Sequence, residues 1–287
     1  MVSVPDGREL CVEVYGAASE GTFLIHCGSP NSRLLFDPWV ADAAERGLRL
    51  ISYDRPGYGG STPQPGRSIA DGAADVRAIA DELGIERLAM WGFSGGGPYT
   101  LACAALLPEL VAAAAVVGSP APWGAAGLDY YAGMGQDNLE DMQLFQSDRD
   151  AARQKARKDW EEEISVTPDQ LREAWKTLLS DVDAAVVTGE FARHMVRCIR
   201  DGLAPGEQGW WDDGVADMDP WGFEFESIRV PVQVWHGRED RFVPFQHGEW
   251  LAEHVPGAEP HLSDIDGHLT LLVHRFTDIH AWLAAHL

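Results

Sequence analysis

The segment that most constrains this chain is Trp91-Gly92-Phe93-Ser94-Gly95-Gly96-Gly97-Pro98, where an apolar strand-like run, Leu88–Phe93, passes without a linker into helix-like spacing over Gly97–Leu107. A strand that turns straight into a helix reverses within one tight, strained bend, so the flanking positions cannot carry bulk. Gly92 and Gly96, two before and two after Ser94, meet that demand. Ser94 then projects from the sheet edge at the positive end of the following helix, where developing negative charge is favoured. A plain glycine-rich turn is the bland alternative, and the placement between this strand and this helix argues against it. A phosphate-cradling loop is excluded, because no Gly-Lys-Ser/Thr follows.

The surroundings repeat the same grammar. Phe23–Cys27, Leu48–Tyr53, Leu88–Phe93 and Val111–Ser119 are short apolar runs of the kind that parallel strands need when both faces are covered. Glu9–Tyr15 alternates, with Leu10, Val12 and Val14 on one face, and predicts a half-buried antiparallel strand. Asp71–Leu83 carries one apolar stripe through Ala74, Val76, Ile79, Ala80 and Leu83, as a surface helix does. Alternation of strands and helices predicts an α/β class with a doubly wound, mostly parallel sheet.

After Ser119 the pattern changes. Asn138–Phe145, Asp148–Ile164, Pro168–Leu179 and Ala184–Leu203 read as helices with no strand between them. Thr167, Pro168 and Gln170 supply a cap, a first helical residue and a capping box for the third of these. Gly206–Phe225, with its tryptophans among glycines and aspartates, reads as irregular connection. Val230–Trp235, Phe245–Ala252, Pro260–Leu262 and Leu269–His286 then resume the alternation. The expected organisation is a core of residues 1–120 and 226–287 with a helical block, residues 121–225, inserted as a cap.

Charge narrows the partners. With 45 Asp and Glu against 22 Lys and Arg, the formal net charge of −23 argues against nucleic acid and anionic membrane surfaces. The densest acidic run, Asp159–Glu163, reads as a solvated helix face. Cys11, Cys27, Cys103 and Cys198 show no paired spacing, which suits free thiols in a reducing, cytoplasmic compartment. The opening residues read as the start of a strand, not a secretion signal, and Pro108 and Glu109 interrupt the one long apolar stretch.

A serine hydroxyl is a weak nucleophile near neutral pH and needs a base. Among ten histidines, His268 lies in the loop between the last strand and the last helix, whereas His274, His280 and His286 fall within that helix. His26, at a strand end, suits a structural hydrogen bond. The base needs an acceptor on its second nitrogen. Asp240 is the choice, with its neighbour Glu239 as the alternative, because Ser94, Asp240 and His268 then follow in a chain order known for this constellation. No cluster of metal ligands stands out, so no metal or cofactor is expected.

Four places together carry a resemblance: His26-Cys-Gly-Ser-Pro-Asn-Ser-Arg33, Tyr53-Asp-Arg-Pro-Gly-Tyr-Gly-Gly-Ser61, the Ser94 turn, and the Asp240 and His268 loops. The chain resembles the capped branch of the α/β-hydrolase superfamily, which includes esterases, lactonases, peptidases and carbon–carbon bond hydrolases. The resemblance implies an oxyanion hole of two backbone N–H groups, one from Gly95 and one best matched by Ser29. Pro30 has no N–H, so the second donor lies at or before Ser29. It also implies a variable cap. There Trp123 and Trp210 or Trp211 are the expected pocket or lid residues, while Trp160 and Trp175 are expected to pack. Asp54-Arg55-Pro56-Gly57 reads as a turn whose charges brace neighbouring loops, and Cys27 as a small core thiol.

A serine at position 94, in place of aspartate, disfavours dehalogenase and epoxide-hydrolase chemistry. Asp240-Arg-Phe-Val-Pro244 is similar to the carbon–carbon hydrolases, but Leu269 stands where those usually carry Trp. The expected activity is a cofactor-free serine hydrolase cleaving a carboxylic ester or lactone through an acyl-enzyme. Amide or carbon–carbon hydrolysis with the same residues, and a ligand-binding protein without turnover, are the competing readings. The expected partner is a small, largely apolar substrate molecule, a homo-oligomer being the one protein assembly left open.

Overall fold

A computed structural model describes residues 1–17 and 19–287. The first strands are short. β1 (Val2–Ser3) and β2 (Glu9–Leu10) pair as a two-stranded antiparallel ribbon, and β3 (Val12–Tyr15) joins the main sheet instead. The single strand expected over Glu9–Tyr15 therefore breaks at Cys11. Leu10 is fully buried while Val14 is 43% exposed, because the two halves pair with different partners.

The main sheet adds β4 (Gly21–His26), β5 (Leu48–Tyr53), β6 (Leu88–Phe93), β7 (Val111–Val117), β8 (Val232–Gly237) and β9 (Glu259–Ser263). Its order is β3-β5-β4-β6-β7-β8-β9, with β3 antiparallel and every other pair parallel. The apolar runs are buried on both faces because alternate side chains feed two cores. Leu24, Ile51, Met90 and Ala114 face one cluster, which includes Val76 and Ile79 of α2 (Asp71–Glu82) and Leu101 of α3 (Gly97–Leu106). Phe23, Ile25, Trp91 and Ala115 face the other, built against Trp39 of α1 (Asp37–Glu45). Helix α1 has no counterpart in the sequence reading.

Between β7 and β8 the described residues hold six α-helices and no strand: α4 (Gln136–Ser147), α5 (Arg149–Glu163), α6 (Leu171–Ala174), α7 (Asp181–Val186), α8 (Gly189–Gly202) and α9 (Gln208–Met218). Three expectations need correction. The third predicted helix shrinks to the single turn of α6; the Gln170 side chain does accept the Thr167 backbone N–H at 3.0 Å. The fourth splits into α7 and α8, with extended backbone at Thr188 between them and the left-handed Gly189, at φ +50°, opening α8. The stretch Gly206–Phe225 is not irregular: Gln208–Met218 is helical, held by tertiary contacts that outweigh the low propensity of its Gly, Trp and Asp residues.

The chain closes with α10 (Phe245–His254), α11 (His268–His274) and α12 (Phe276–Ala284), so the last expected helix is two helices meeting at Arg275. Among the described residues no helix is long and apolar enough to cross a membrane.

Candidate active site

Four loops that leave the carboxyl ends of parallel strands meet at one edge of the sheet, where open α/β sheets place their ligands. Ser29 follows β4, Ser94 follows β6, Asp240 follows β8 and His268 follows β9.

Ser94 is the one non-glycine residue with positive φ among the described residues, at +51°. Such a conformation costs on the order of 1–3 kcal/mol and persists only where the surroundings enforce it. Here they do. A Cβ at Gly92 would collide with Thr100 Oγ1 and the Gly96 carbonyl, and one at Gly96 would collide with the His26 carbonyl. The two glycines thus let α3 close directly onto β4 and β6. His26 reinforces the junction: its Nδ1 pairs with Thr100 Oγ1 at 3.0 Å and its Nε2 lies 3.3 Å from the Tyr53 hydroxyl. Burial pushes the His26 pKa down to about 3, aided by the Arg55 charge, so the ring is a neutral brace, as its strand-end position suggested.

His268 and Asp240 are both buried, and His268 Nδ1 donates to Asp240 Oδ2 at 2.7 Å. The Val243 N–H fixes the other carboxylate oxygen at 2.8 Å, and Phe242 stacks on the imidazole with centroids 4.8 Å apart. Glu239, the alternative acid, is exposed. Burial opposes charge on His268, but Asp240 more than offsets it and raises the imidazole pKa above 6.5. Asp240 shows the mirror image: burial pushes up, His268 and His236 pull down, and its pKa falls to about 2. This pairing leaves Nε2 of His268 as the nitrogen free to act. His268 and Ser94 line the same cavity of about 910 Å³.

Ser29 and Gly95 lie against one another: a Cβ at Gly95 would stand 2.7 Å from Ser29 Oγ and 3.5 Å from the Ser29 nitrogen. Among the described residues the Ser29 N–H has no hydrogen-bond partner in the chain. Gly95 sits in the first helical turn, whose N–H groups have no intrahelical acceptor.

The helical insert forms the rest of the cavity wall. Trp210 lines it and also an adjoining cavity of about 210 Å³, which Trp211 lines as well. Trp123 lies outside both linings, its exposed ring against Tyr130 and Tyr131 a few residues on in the chain. Trp175, expected to pack, is buried and also lines the main cavity. The acidic run is likewise more than a solvated face, since Asp159, Glu162 and Glu163 reach the cavity wall.

Two carboxylates of the insert escaped the sequence reading. Asp183 of α7 accepts the N–H groups of His268, Leu269 and Thr270 at 2.9, 2.8 and 3.0 Å, which caps α11 and fixes the histidine backbone. Asp213 of α9 is buried against Arg55, Arg67, Tyr58, Tyr99 and Ser29. The turn holding Arg55 does brace its neighbours, with Asp54 accepting from the Arg33 side chain at 2.8 Å and from the Gly60 N–H at 2.9 Å. Cys27 is a buried thiol whose pKa burial pushes up to about 12. Among the described residues no group of three or more His, Cys, Asp or Glu side chains is placed to hold a metal ion.

A mostly parallel sheet with a strained serine turn at one strand end, and a buried Asp and His paired from the ends of the second and third strands beyond it, is the layout of a hydrolase core. The chain belongs to the α/β-hydrolase family, whose alpha/beta hydrolase fold model matches residues 21–275. It is 26% identical to a 2-hydroxy-6-oxononadienedioate/2-hydroxy-6-oxononatrienedioate hydrolase of Cupriavidus pinatubonensis, over 93% of this chain and 88% of that one. It is 24% identical to a bifunctional esterase/perhydrolase of Acinetobacter calcoaceticus, over 85% of this chain and 83% of that one. Among solved structures, the enol-lactonase of Burkholderia xenovorans superposes with a TM-score of 0.67 at 19% identity, covering 98% of each chain.

Proposed function

We propose that the protein is a serine hydrolase that cleaves a neutral carboxylic ester or lactone, working without a cofactor, with Ser94, His268 and Asp240 as its triad. The observation that carries this reading is the strained Ser94 turn opening into the same cavity as an imidazole whose Nδ1 is bound to a buried carboxylate. Ser94 Oγ attacks the carbonyl carbon while His268 Nε2 takes its proton. The tetrahedral oxyanion then faces the N–H groups of Ser29 and Gly95. As the carbon–oxygen bond breaks, His268 returns the proton to the leaving alkoxide. Water attacks the acyl-enzyme by the same route, and Asp240 stabilises the imidazolium throughout. Residues 121–225 act as the cap over this site.

The cavity wall supports a neutral substrate. It holds eight acidic side chains against two lysines, and both lysines are already paired, Lys155 with Asp141 and Asp159 and Lys158 with Glu162. A dioate, the substrate type in the name of the Cupriavidus relative, would meet like charge here. Trp175, Trp210, Met142 and Met195 offer apolar surface for the carbon part of a neutral acyl or alcohol group.

The test is a panel of short-chain aryl esters, γ-lactones, an anilide and a dioate ring-cleavage product, assayed with the purified chain. Hydrolysis of neutral esters or lactones with little action on the dioate is the expected outcome. Faster carbon–carbon cleavage of the dioate than ester hydrolysis would replace this reading.

A further inference from the structure

Asp213 concentrates more polar contacts than any residue of the proposed triad, yet it lies in the helical insert. It is buried, with Oδ2 accepting from Ser29 Oγ at 2.5 Å, Arg55 Nη2 at 2.5 Å and Tyr58 Oη at 2.9 Å. Its Oδ1 accepts from Arg67 Nη2 at 2.7 Å and Tyr99 Oη at 2.9 Å. Burial would raise such an acid, but the two guanidinium groups outweigh it and hold Asp213 well below the usual carboxylate range. It is therefore a fixed negative charge between two buried cations.

That charge reaches the reaction through one loop. Arg55 Nη1 donates to the Cys27 carbonyl, and Arg55 Nη2 donates to Ser29 Oγ at 2.9 Å. The Cys27–Ser29 segment is thus gripped at two points, the Cys27 carbonyl and the Ser29 hydroxyl, by a guanidinium that Asp213 orients, and the Ser29 hydroxyl is held a second time by Asp213 itself. Ser29 is the residue whose N–H has no partner among the described residues and whose nitrogen and hydroxyl lie beside Gly95. If the cluster served only to fasten α9 to the core, Arg67, Tyr58 and Tyr99 would suffice; the contacts to Ser29 and Arg55 end on the proposed oxyanion loop instead.

We propose that Asp213 is a positioning residue for the oxyanion hole: it holds Ser29 against Gly95 through Arg55 and the Ser29 hydroxyl, so the helical insert sets how well the tetrahedral intermediate is stabilised. This rests on the serine-hydrolase reading given above. Donors aimed at a developing oxyanion act through geometry, so a small displacement of the Ser29 N–H weakens the transition state more than the ground state.

The experiment compares the full-length wild type with Asp213→Asn and Ser29→Ala. The readouts are p-nitrophenyl acetate kinetics, inhibition by phenylboronic acid, the rate of Ser94 labelling by a fluorophosphonate, and thermal unfolding by circular dichroism. Phenylboronic acid forms a tetrahedral anionic adduct on a serine oxygen and so reports the oxyanion hole directly. Asp213→Asn is expected to lower kcat by on the order of 10- to 100-fold with KM little changed, and to weaken boronate binding by a similar factor. The pH midpoint set by His268 should not move.

Ser29→Ala keeps the backbone N–H but loses the tether. It should show the same pattern at smaller amplitude, and it should add little in the Asp213→Asn background. A folded Asp213→Asn with wild-type kcat and boronate affinity would overturn the proposal. If Asp213→Asn does not fold, Ser29→Ala decides, and wild-type boronate affinity in that variant is the contrary result. A wild type that neither labels at Ser94 nor hydrolyses any ester would remove the underlying hydrolase reading, which is a different failure.

Discussion

The sheet core and the helical insert contribute to the site in different ways. The core places Ser94, Asp240 and His268 at strand ends, where backbone pairing fixes each loop to a neighbour. The insert supplies none of those three. It supplies Asp183, which fixes the His268 backbone from 85 residues away, and Asp213, which grips Ser29 from 184 residues away. The proposed reacting groups therefore sit at the ends of sheet strands, while two carboxylates on helices of the insert hold the backbone or side chain of residues beside them. A mutation in the insert can then disturb catalysis without touching a reacting atom.

The sharpest break between the two regions is Ser94→Ala. It should lower kcat by roughly 10⁴- to 10⁶-fold on any ester the wild type cleaves, with the circular dichroism spectrum unchanged. Asp240→Asn should come next, with a loss on the order of 10⁴-fold, because it favours the wrong imidazole tautomer. Glu239→Gln, one residue away and exposed, should change kcat little. Steady-state kinetics of the three variants on one ester will rank them. A crippled Glu239→Gln beside an active Asp240→Asn would reassign the acid.

On the side of the insert, Asp183→Ala leaves three N–H groups of α11 without their acceptor. It should cost about 2 kcal/mol of stability, within the range for lost helix caps, and lower kcat far less than Asp240→Asn, because His268 keeps its carboxylate partner. Urea denaturation gives the first quantity and ester kinetics the second. An Asp183→Ala variant as inactive as Asp240→Asn would erase the division of labour between the two regions.

Legibility in the sequence follows the same divide. The serine turn is written in adjacent residues, since strand, glycines and helix lie within one continuous segment and steric demand fixes each glycine. The His268 and Asp240 loops are legible from chain order and from their place between elements. Asp183 and Asp213 have no local signature, because their partners are distant in sequence and an acid on a helix is ordinary. Helix α9 itself hid behind a composition of Gly, Trp and Asp that disfavours helices in isolation; burial of Asp213 against two arginines and two tyrosines holds it. Trp123 has no local signature for its place either: aromatic character alone does not say what a ring packs on, and this one lies against Tyr130 and Tyr131 while staying 36% exposed.

A smaller effect concerns pH. His268 must be neutral to accept a proton, and Asp240 raises its pKa above 6.5, so kcat/KM should rise with pH through a midpoint above that value. In Asp240→Asn the raising carboxylate is gone, burial dominates, and the midpoint should fall. Profiles from about pH 5 to about pH 9 compare the two. A midpoint that stays in place would detach the base from Asp240.

The smallest effect expected is at Asp217 of α9, one helical turn beyond Asp213, with a buried Oδ1 that has no partner. Burial, with Asp213 adding, raises its pKa to about 8. The folded state then holds a proton that the unfolded chain releases near pH 4, so this group's stabilising contribution declines as pH rises and is gone above about pH 8. Asp217→Asn should remove that dependence and raise Tm by a few degrees at pH 8.5 while leaving it nearly unchanged at pH 4.

The central claim is that Ser94 is the attacking group, and covalent labelling tests it most directly. Incubation with a fluorophosphonate, followed by digestion and mass spectrometry, should yield one adduct per chain, on the peptide containing Gly92-Phe93-Ser94-Gly95-Gly96, in step with loss of ester hydrolysis. An adduct on another residue, or full inactivation with Ser94 unmodified, would contradict the account.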